Sequence, residues 1–326
     1  MQYRTLPGCG IEVSRLCFGS MTFGRPVDQP TADRMVARCL DAGITFFDSA
    51  NAYQHGAAEE MLGAALRGRR AQVVLSTKVE HRMGEGPDES GLSRAAILKQ
   101  AEASLRRLGT DWLDIYFLHQ PDYAVPIEET LEAMDLLVRQ GKVRQIGSSN
   151  YAAWQICEML WLAEKHCWQP PLVLQSMYNL IARGVEAEYV PAARRLGVAT
   201  IAYNALAGGL LTGKHRPGAF TPGGRFDAAF WGSTLYQERY WHPRSFTAIE
   251  ALQEEAAKAG RSLPALALAW LLHHSAADAV LIGNSRPEQL EQNLAAAEAG
   301  PLDPATLAAC DAAWEELRGP LPQYNR

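Results

Sequence analysis

Residues 113–119 read LDIYFLH, and this stretch decides the fold. The mostly apolar run Leu113–Leu118 is too short for a helix and lacks regular polar alternation, as expected of a parallel strand covered on both faces. Helical patterns flank it. Ser93–Leu108 begins on a serine cap, Pro126–Gln140 begins on a proline, and each is followed by a glycine. The stretch is therefore predicted to be the strand of an α–β–α unit.

Seven further short apolar runs occur along the 326-residue chain, and helical patterns lie between most of them. Eight strands alternating with helices over this length predict an α/β protein, specifically a (β/α)8 TIM barrel. The eight predicted strands are Arg15–Gly19, Thr45–Asp48, Val73–Thr77, Leu113–Leu118, Gln145–Ser148, Leu172–Gln175, Ala199–Tyr203 and Ala279–Ile282. The predicted helices are Thr31–Ala42, Ala58–Leu66, Ser93–Leu108, Pro126–Gln140, Ala152–Lys165 and Glu188–Leu196.

The two ends of the chain add elements to the predicted barrel. Tyr3–Leu6 and Ile11–Val13 flank a glycine-containing turn, which indicates an N-terminal β-hairpin. Pro304–Leu317 has the pattern of an extra C-terminal helix. We expect a single domain over residues 1–326, with the barrel at about 14–298 and a C-terminal tail at 299–326.

Three segments interrupt the alternation: His81–Gly91, Gly208–Arg244 and Gly300–Arg326. Long insertions in a compact domain are usually lids or binding loops, although simple surface variation remains the alternative for each.

The composition excludes several classes of protein. A formal net charge of −5 without a run of Lys or Arg argues against a nucleic-acid partner. No stretch is apolar enough for a membrane span, and the N-terminal residues do not resemble a signal peptide. The six cysteines form no CxxC pair, so we expect small buried thiols in a reducing compartment. We therefore expect a cytoplasmic protein.

Ionisable side chains stand at the ends of three successive predicted strands. Asp48, Lys78 and His119 each follow an apolar run, and Tyr53 follows Asp48 by five residues. The active sites of TIM barrels lie at this end of the strands. Taken singly, each residue is as readily a structural ion pair or a loop anchor. Three charged groups side by side are costly unless they pair, so the set of four favours a catalytic site.

Such a cluster has a definite chemistry. A tyrosine is a weak acid, with a reference pKa of ~10. A lysine ammonium about 4 Å away favours the phenolate by up to ~4 kcal/mol at an effective dielectric constant of 20. A paired aspartate keeps that lysine charged in spite of burial. The tyrosine can then protonate a developing alkoxide while a histidine orients the carbonyl oxygen.

Several segments resemble one known family in their sequence, order and spacing. They are 46–50 with Tyr53, 76–78, 113–119, 141–150, 175–179 and 282–290. From about residue 3 to about residue 298 the chain resembles the aldo-keto reductases. Its extended middle loop, together with residues 208–214 (GGLLTGK), resembles the bacterial branch close to potassium-channel β-subunits and glyceraldehyde-phosphate reductases.

The resemblance implies a NADPH-dependent carbonyl reductase that transfers a hydride directly and uses no metal. It assigns Asp48, Tyr53, Lys78 and His119 as the catalytic tetrad, with Tyr53 as the general acid. It also implies a cofactor site. Ser149, Asn150 and Gln175 match the nicotinamide carboxamide contacts and Tyr203 matches the stacking aromatic residue. The pyrophosphate contacts match Asn204, Leu206, Gly208, Lys214 and Arg225, and the adenosine 2′-phosphate end matches Gly283, Ser285, Arg286, Gln289 and Asn293.

Two departures from the family pattern concern the site. Asn204-Ala205 stands where relatives usually have Ser-Pro, and Gln54-His55-Gly56 follows Tyr53 where a glycine directly after the tyrosine is commoner. His55 is consequently either a specificity contact or an exposed loop residue. The expected substrate contacts are Met21, His55, His81, Gln120, Trp231 and Trp241.

Aromatic walls suit small aldehydes, ketones or quinones as substrates. One alternative is an NADPH-binding redox sensor or regulatory subunit with slow turnover. A second is a Schiff-base aldolase that uses Lys78 as its nucleophile, against which the Asp48 and Tyr53 partners argue. The oligomeric state is not predicted by the sequence.

Overall fold

The structure is a computed structural model that describes residues 1–220, 222–230 and 232–320. Trp231 and the last six residues of the predicted tail lie outside the described residues. The chain divides into two compact units. The first comprises Met1–Ser176, Val185–Ala202 and Ala277–Glu291, and the second comprises Met177–Gly184, Tyr203–Ala276 and Gln292–Arg326.

Eight parallel strands close into a barrel, in agreement with the prediction. The antiparallel hairpin precedes it, with Tyr3 opposite Ser14. The hairpin strands are β1 (Tyr3–Thr5) and β2 (Glu12–Ser14), and the barrel strands are β3 (Leu16–Gly19), β4 (Phe46–Asp48), β5 (Val74–Val79), β6 (Leu113–Leu118), β7 (Val143–Ser149), β8 (Pro171–Met177), β9 (Ala199–Tyr203) and β10 (Ala279–Gly283). Around the barrel the strands follow chain order, and β10 pairs with β3 to close it.

Helices follow the strands as the alternation predicted. In the first unit they are α1 (Gln29–Asp41), α2 (Ala57–Ala65), α3 (Arg94–Leu108), α4 (Ile127–Arg139), α5 (Ala153–His166) and α6 (Tyr189–Leu196). The second unit contains α7 (Ser233–Tyr240), α8 (Pro243–Lys258), α9 (Leu263–His274) and α11 (Pro304–Arg318). Helix α10 (Pro287–Glu298) follows β10.

Side-chain caps mark the start of several helices. Ser93 caps α3 as predicted, because its side chain accepts from Ala96 N. The predicted start of α1 at Thr31 is wrong. Asp28 is the cap and accepts from Thr31 N, so the helix begins two residues earlier, with a proline in its first turn.

The barrel interior holds a continuous apolar cluster. Leu6 and Val13 of the hairpin pack with inward side chains of the strands, among them Phe46, Ile115 and Phe117. Gly147 on β7 is required by this packing, since a Cβ there would lie 2.4 Å from a ring carbon of Phe117. This packing fixes the strands whose last residues carry the candidate site.

One sequence expectation needs correction. Cys157 and Cys167 are exposed, although small buried thiols were expected. Both lie at the outer surface of α5 and its C-terminus. The segment predicted as a long insertion, Gly208–Arg244, contains helix α7 and a short 3-10 segment, Ala207–Thr212. Within the described residues, no helix is both long and apolar enough to cross a membrane.

Candidate active site

Asp48 and Lys78 form a buried ion pair at the end of the barrel wall. Asp48 is the last residue of β4, and Lys78 lies on β5, one residue before its end. Each is only 1% exposed. Lys78 Nζ donates to Asp48 Oδ2 and, at 2.7 Å, to the backbone carbonyl of Ser49. The pairing that the sequence required of these two charges is therefore present.

The carboxylate of Asp48 is held by further donors. Ser76 Oγ donates to its Oδ1 at 2.7 Å, and Gln175 Nε2 donates to the same oxygen at 3.2 Å. These two donors hold the carboxylate of Asp48 in place beside Lys78.

Lys78 is a charged lysine in spite of its burial. Desolvation is the largest single influence and lowers its pKa, but the combined attraction of Asp48 and Tyr53 outweighs it and raises the pKa above the ordinary value. The ammonium nitrogen lies 5.1 Å from the centroid of the Tyr53 ring. The structure thus brings a fixed positive charge to the phenol.

Tyr53 stands at the start of a 3-10 turn, Tyr53–Gly56, that leads directly into α2. Gln54 and His55 adopt left-handed backbone angles, with φ of 49° and 52°. The Tyr53 ring lies edge-on to His119, with centroids 6.0 Å apart. All four predicted tetrad residues are therefore neighbours in space.

His119 follows β6 and faces a second histidine. Its ring centroid lies 4.4 Å from that of His81. Burial lowers the pKa of His119 well below its ordinary value, and the charges of Lys78 and His81 lower it further. Its Nδ1 atom is buried and has no hydrogen-bond partner among the described residues. His119 is consequently a neutral imidazole that can offer one N–H donor.

His81 lies beside the side chain of its neighbour Glu80. His81 Nδ1 lies 2.8 Å from Glu80 Oε2. Glu80 has a φ of 141°, a conformation that is uncommon for a residue with a side chain. Its backbone carbonyl accepts from Gly91 N at 2.7 Å, which ties both ends of the 80–91 segment together. The segment therefore presents His81 beside His119.

The residues predicted to bind the carboxamide lie next to the tetrad. Ser149 ends β7 and is buried, whereas Asn150 is exposed and has a φ of 64°. Asn150 Nδ2 donates to the His119 carbonyl at 2.8 Å and to Ser149 Oγ at 3.1 Å. With Gln175 they supply a hydroxyl and two amides, a set that fits the one acceptor and two donors of a carboxamide.

The start of α10 has the chemistry predicted for a phosphate site. Arg286 is exposed, and the segment from Gly283 leads into the helix N-terminus. Backbone donors and the helix dipole favour an anion there. Gln289 has a local partner, however, because its Oε1 accepts from both Ser285 N (2.8 Å) and Ser285 Oγ (3.0 Å). Gln289 is thereby tied to the loop that precedes the helix, a contact that the sequence did not predict.

In the second unit, a donor of Asn204 fits the predicted pyrophosphate contact. Its Nδ2 atom is buried and has no hydrogen-bond partner within the described residues. The loop that follows turns through Gly208 and Gly209, with φ of 68° and 102°, and Leu206 O accepts from Gly209 N at 2.8 Å. A buried unpaired amide beside a glycine turn is a suitable donor set for an anion.

The other predicted residues of the second unit differ in exposure and contacts. Lys214 is exposed and Tyr203 is partly buried, while Asn293 is buried on α10. Arg225 Nη1 donates to Tyr236 Oη at 2.9 Å. Trp241 packs in an aromatic cluster, 4.7 Å from Phe226 and 4.6 Å from Phe220 between ring centroids.

The predicted substrate residues of the first unit differ in their exposure and in their contacts with the tetrad. His81 has the most intimate contact with the tetrad, through His119. Met21 and Gln120 are partly buried, and Tyr151 Oη donates to the Gln120 carbonyl at 3.4 Å. His55 is exposed. Trp231 lies outside the described residues.

Sequence reasoning missed several residues that hold the tetrad. Ser76 was detectable, because it lies two positions before Lys78 and strand alternation places both on one face. The buried carboxylate of Glu59, which accepts from Thr77 Oγ1, had no such signal, because it depends on packing between α2 and β5.

The comparisons with known proteins establish the family of the chain. Residues 15–315 match the Aldo/keto reductase family, so the chain belongs to that family and is an oxidoreductase. The family recognised from the sequence is thereby confirmed. Enzymes of this family generally use NADPH/NADP.

Three relatives illustrate the range of the family. The chain is 40% identical to "Aldo-keto reductase family 7 member A3" of Homo sapiens, over 94% of this chain and 96% of the relative. It is also 40% identical to the human "Aflatoxin B1 aldehyde reductase member 2", over 94% and 88% of the two chains. A "Probable voltage-gated potassium channel subunit beta" of Arabidopsis thaliana is 36% identical over 93% of each chain.

Proposed function

We propose that the protein reduces small aldehydes and ketones to alcohols with NADPH, and that Tyr53 is the general acid. The observation that carries the proposal is the charged, buried Lys78, which Asp48 holds beside the Tyr53 ring. We propose reduction rather than oxidation because two relatives at 40% identity are named as reductases. They are "Aldo-keto reductase family 7 member A3" and "Aflatoxin B1 aldehyde reductase member 2".

The residues of the chain divide the chemistry among them. Tyr53 donates the proton from its hydroxyl to the oxygen of the substrate, and Lys78 stabilises the phenolate that remains. Asp48 keeps Lys78 protonated, and Ser76 keeps Asp48 in place. His119, as a neutral imidazole, donates a hydrogen bond that orients the carbonyl without adding a second positive charge.

The cofactor completes the proposed reaction. When bound, the reduced nicotinamide supplies a hydride to the carbonyl carbon. Ser149, Asn150 and Gln175 would hold its carboxamide, and Tyr203 would stack on its ring. The glycine turn with Asn204, Leu206, Gly208, Lys214 and Arg225 would hold the pyrophosphate. Gly283, Ser285 and Arg286 would hold the 2′-phosphate, with Gln289 and Asn293 near the adenine.

The preference for NADPH over NADH rests on Arg286. Its exposed guanidinium can bind a phosphate through two parallel hydrogen bonds, and it stands directly before the N-terminus of α10. A free hydroxyl at the same position of the cofactor offers it no charge to pair with.

The substrate side of the proposal names four residues of the first unit, Met21, His55, His81 and Gln120, together with Trp231 and Trp241. His81 is the strongest of these, because its ring lies against that of His119. The proposed partners are small carbonyl compounds, not nucleic acids or membranes, and we place the protein in the cytoplasm as one domain.

The test is a panel of aromatic and aliphatic aldehydes and ketones, incubated with NADPH or NADH, with consumption of the cofactor followed by absorbance. We expect steady turnover of aldehydes with NADPH and much weaker turnover with NADH. A second candidate, a slow NADPH-binding sensor, is favoured by the relative named as a potassium-channel β-subunit. A single stoichiometric burst without further turnover would support the sensor and contradict the reductase.

A further inference from the structure

A buried ion pair lies behind the proposed catalytic contact, where helices α2 and α3 pack on strand β5. Glu59 of α2 is fully buried, and its two carboxylate oxygens have different partners. Thr77 Oγ1 donates to Glu59 Oε1 at 2.5 Å, and Arg107 Nε of α3 donates to Glu59 Oε2 at 2.6 Å. Glu59 therefore joins three elements at one point.

That point is adjacent to Lys78. Thr77 precedes Lys78 on β5, and successive residues of a strand point to opposite faces. Lys78 thus faces Asp48 and Tyr53, while Thr77 faces α2 and Glu59. Any shift of β5 relative to α2 moves the ammonium of Lys78 and the Glu59 contact together.

The same ion pair supports the turn that carries Tyr53. Gln54 and His55 are consecutive non-glycine residues with left-handed backbone angles, an arrangement that persists only when surrounding contacts hold it. Gly56 closes the turn with a φ of 94°, and a Cβ there would lie 2.7 Å from Arg107 Cδ. The side chain of Arg107 is therefore packed directly against the turn.

We propose that Glu59, Arg107 and Thr77 are positioning residues that set the Tyr53 phenol against the Lys78 ammonium. Glu59 fixes α2, and hence the preceding turn, to the strand that carries Lys78. Arg107 neutralises the buried carboxylate and supports the turn from the other side. This inference rests on the proposed function, because it concerns the proton that Tyr53 delivers.

The first test compares Thr77→Val with Thr77→Ser. Valine keeps the shape of threonine and removes the donor to Glu59, whereas serine keeps the donor. We expect kcat of aldehyde reduction to fall by about 10- to 100-fold in Thr77→Val, because small misplacements of reacting groups cost rates of this order. The basic limb of the pH profile of kcat should move to higher pH, because a displaced Lys78 ammonium stabilises the Tyr53 phenolate less. The NADPH affinity of Thr77→Val should equal that of the wild type. In Thr77→Ser, both kcat and the pH of the basic limb should equal the wild-type values.

The second test uses a matched control pair elsewhere on the barrel. Asp114 is a buried carboxylate near the start of β6 that accepts from Arg70 Nη2 at 2.7 Å and from Arg144 Nη1 at 2.8 Å. Glu59→Gln and Asp114→Asn each remove one buried charge, and both should lower the melting temperature. Only Glu59→Gln should lower kcat and move the basic limb.

Failure of the positioning role and failure of the proposed reductase function give different results. The positioning role is wrong if Thr77→Val keeps the wild-type kcat and the wild-type basic limb of the pH profile. It is also wrong if Glu59→Gln and Asp114→Asn lose kcat to the same extent. If the wild type itself does not reduce aldehydes, or shows no basic limb that Tyr53→Phe removes, the proposed function fails instead.

Discussion

Replacement of Lys78 by methionine tests the electrostatic basis of the proposed site. Methionine preserves much of the length of the side chain and removes its charge. Lys78 Nζ lies 5.1 Å from the centroid of the Tyr53 ring. If this distance is taken as the separation of the two charges, they interact by ~3 kcal/mol at an effective dielectric constant of about 20. The loss of this stabilisation from the phenolate corresponds to a decrease of about 100-fold in the rate of proton delivery.

The assay is single-turnover reduction of an aromatic aldehyde by the preformed NADPH complex. We expect Lys78→Met to slow the chemical step by about 100-fold or more while NADPH still binds. The variant also leaves Asp48 as a buried, unpaired charge, which typically costs about 3–5 kcal/mol of stability. The double variant Lys78→Met/Asp48→Asn therefore serves as the control.

The double variant removes the unpaired charge and should recover much of the stability but none of the rate. If Lys78→Met keeps a wild-type chemical step, the charge of Lys78 does not assist Tyr53 and the electrostatic argument is wrong. If the double variant recovers both stability and rate, the loss in Lys78→Met was caused by damage to the fold.

Three further predictions concern the cofactor, the pH response and the substrate site. Arg286→Ala should weaken NADPH far more than NADH in titrations of cofactor fluorescence, and equal losses would exclude a 2′-phosphate contact. Because the pKa of folded His119 is lowered below the unfolded value of ~6.5, its contribution to stability is complete above that pH and decreases as the pH falls towards the folded pKa. Unfolding titrations between neutral and mildly acidic pH should accordingly show less acid destabilisation in His119→Gln than in the wild type, and identical slopes would contradict a depressed pKa. His81→Ala should change the KM values of the aldehydes in the panel more than it changes NADPH affinity. KM values equal to those of the wild type for every aldehyde would show that His81 does not contact the substrate.

The sequence predicted the barrel and the positions of the tetrad because both depend on local patterns. Short apolar runs such as Leu113–Leu118 identify buried parallel strands, and a polar residue at the end of such a run lies at the mouth of a barrel. The alternation of residues along β5 would also have identified Ser76. These features need only the neighbours of a residue in the chain.

The features that the sequence did not predict depend on packing. Helix α9 was missed because most of its residues are apolar and buried, so it has no amphipathic period. The contact of Glu59 with Thr77 and Arg107 joins residues far apart in the sequence. The left-handed angles of Gln54 and His55 and the φ of Glu80 have no signature in residue type, since glycine or asparagine would be the usual choice.

The delivery of the proton by Tyr53 is tested best with Tyr53→Phe, which removes a single hydroxyl. The NADPH complex of this variant is mixed with an aromatic aldehyde in a single-turnover experiment. We expect near-native NADPH binding and the loss of almost all alcohol formation. Near-native alcohol formation by Tyr53→Phe would contradict the role of Tyr53 as the proton donor.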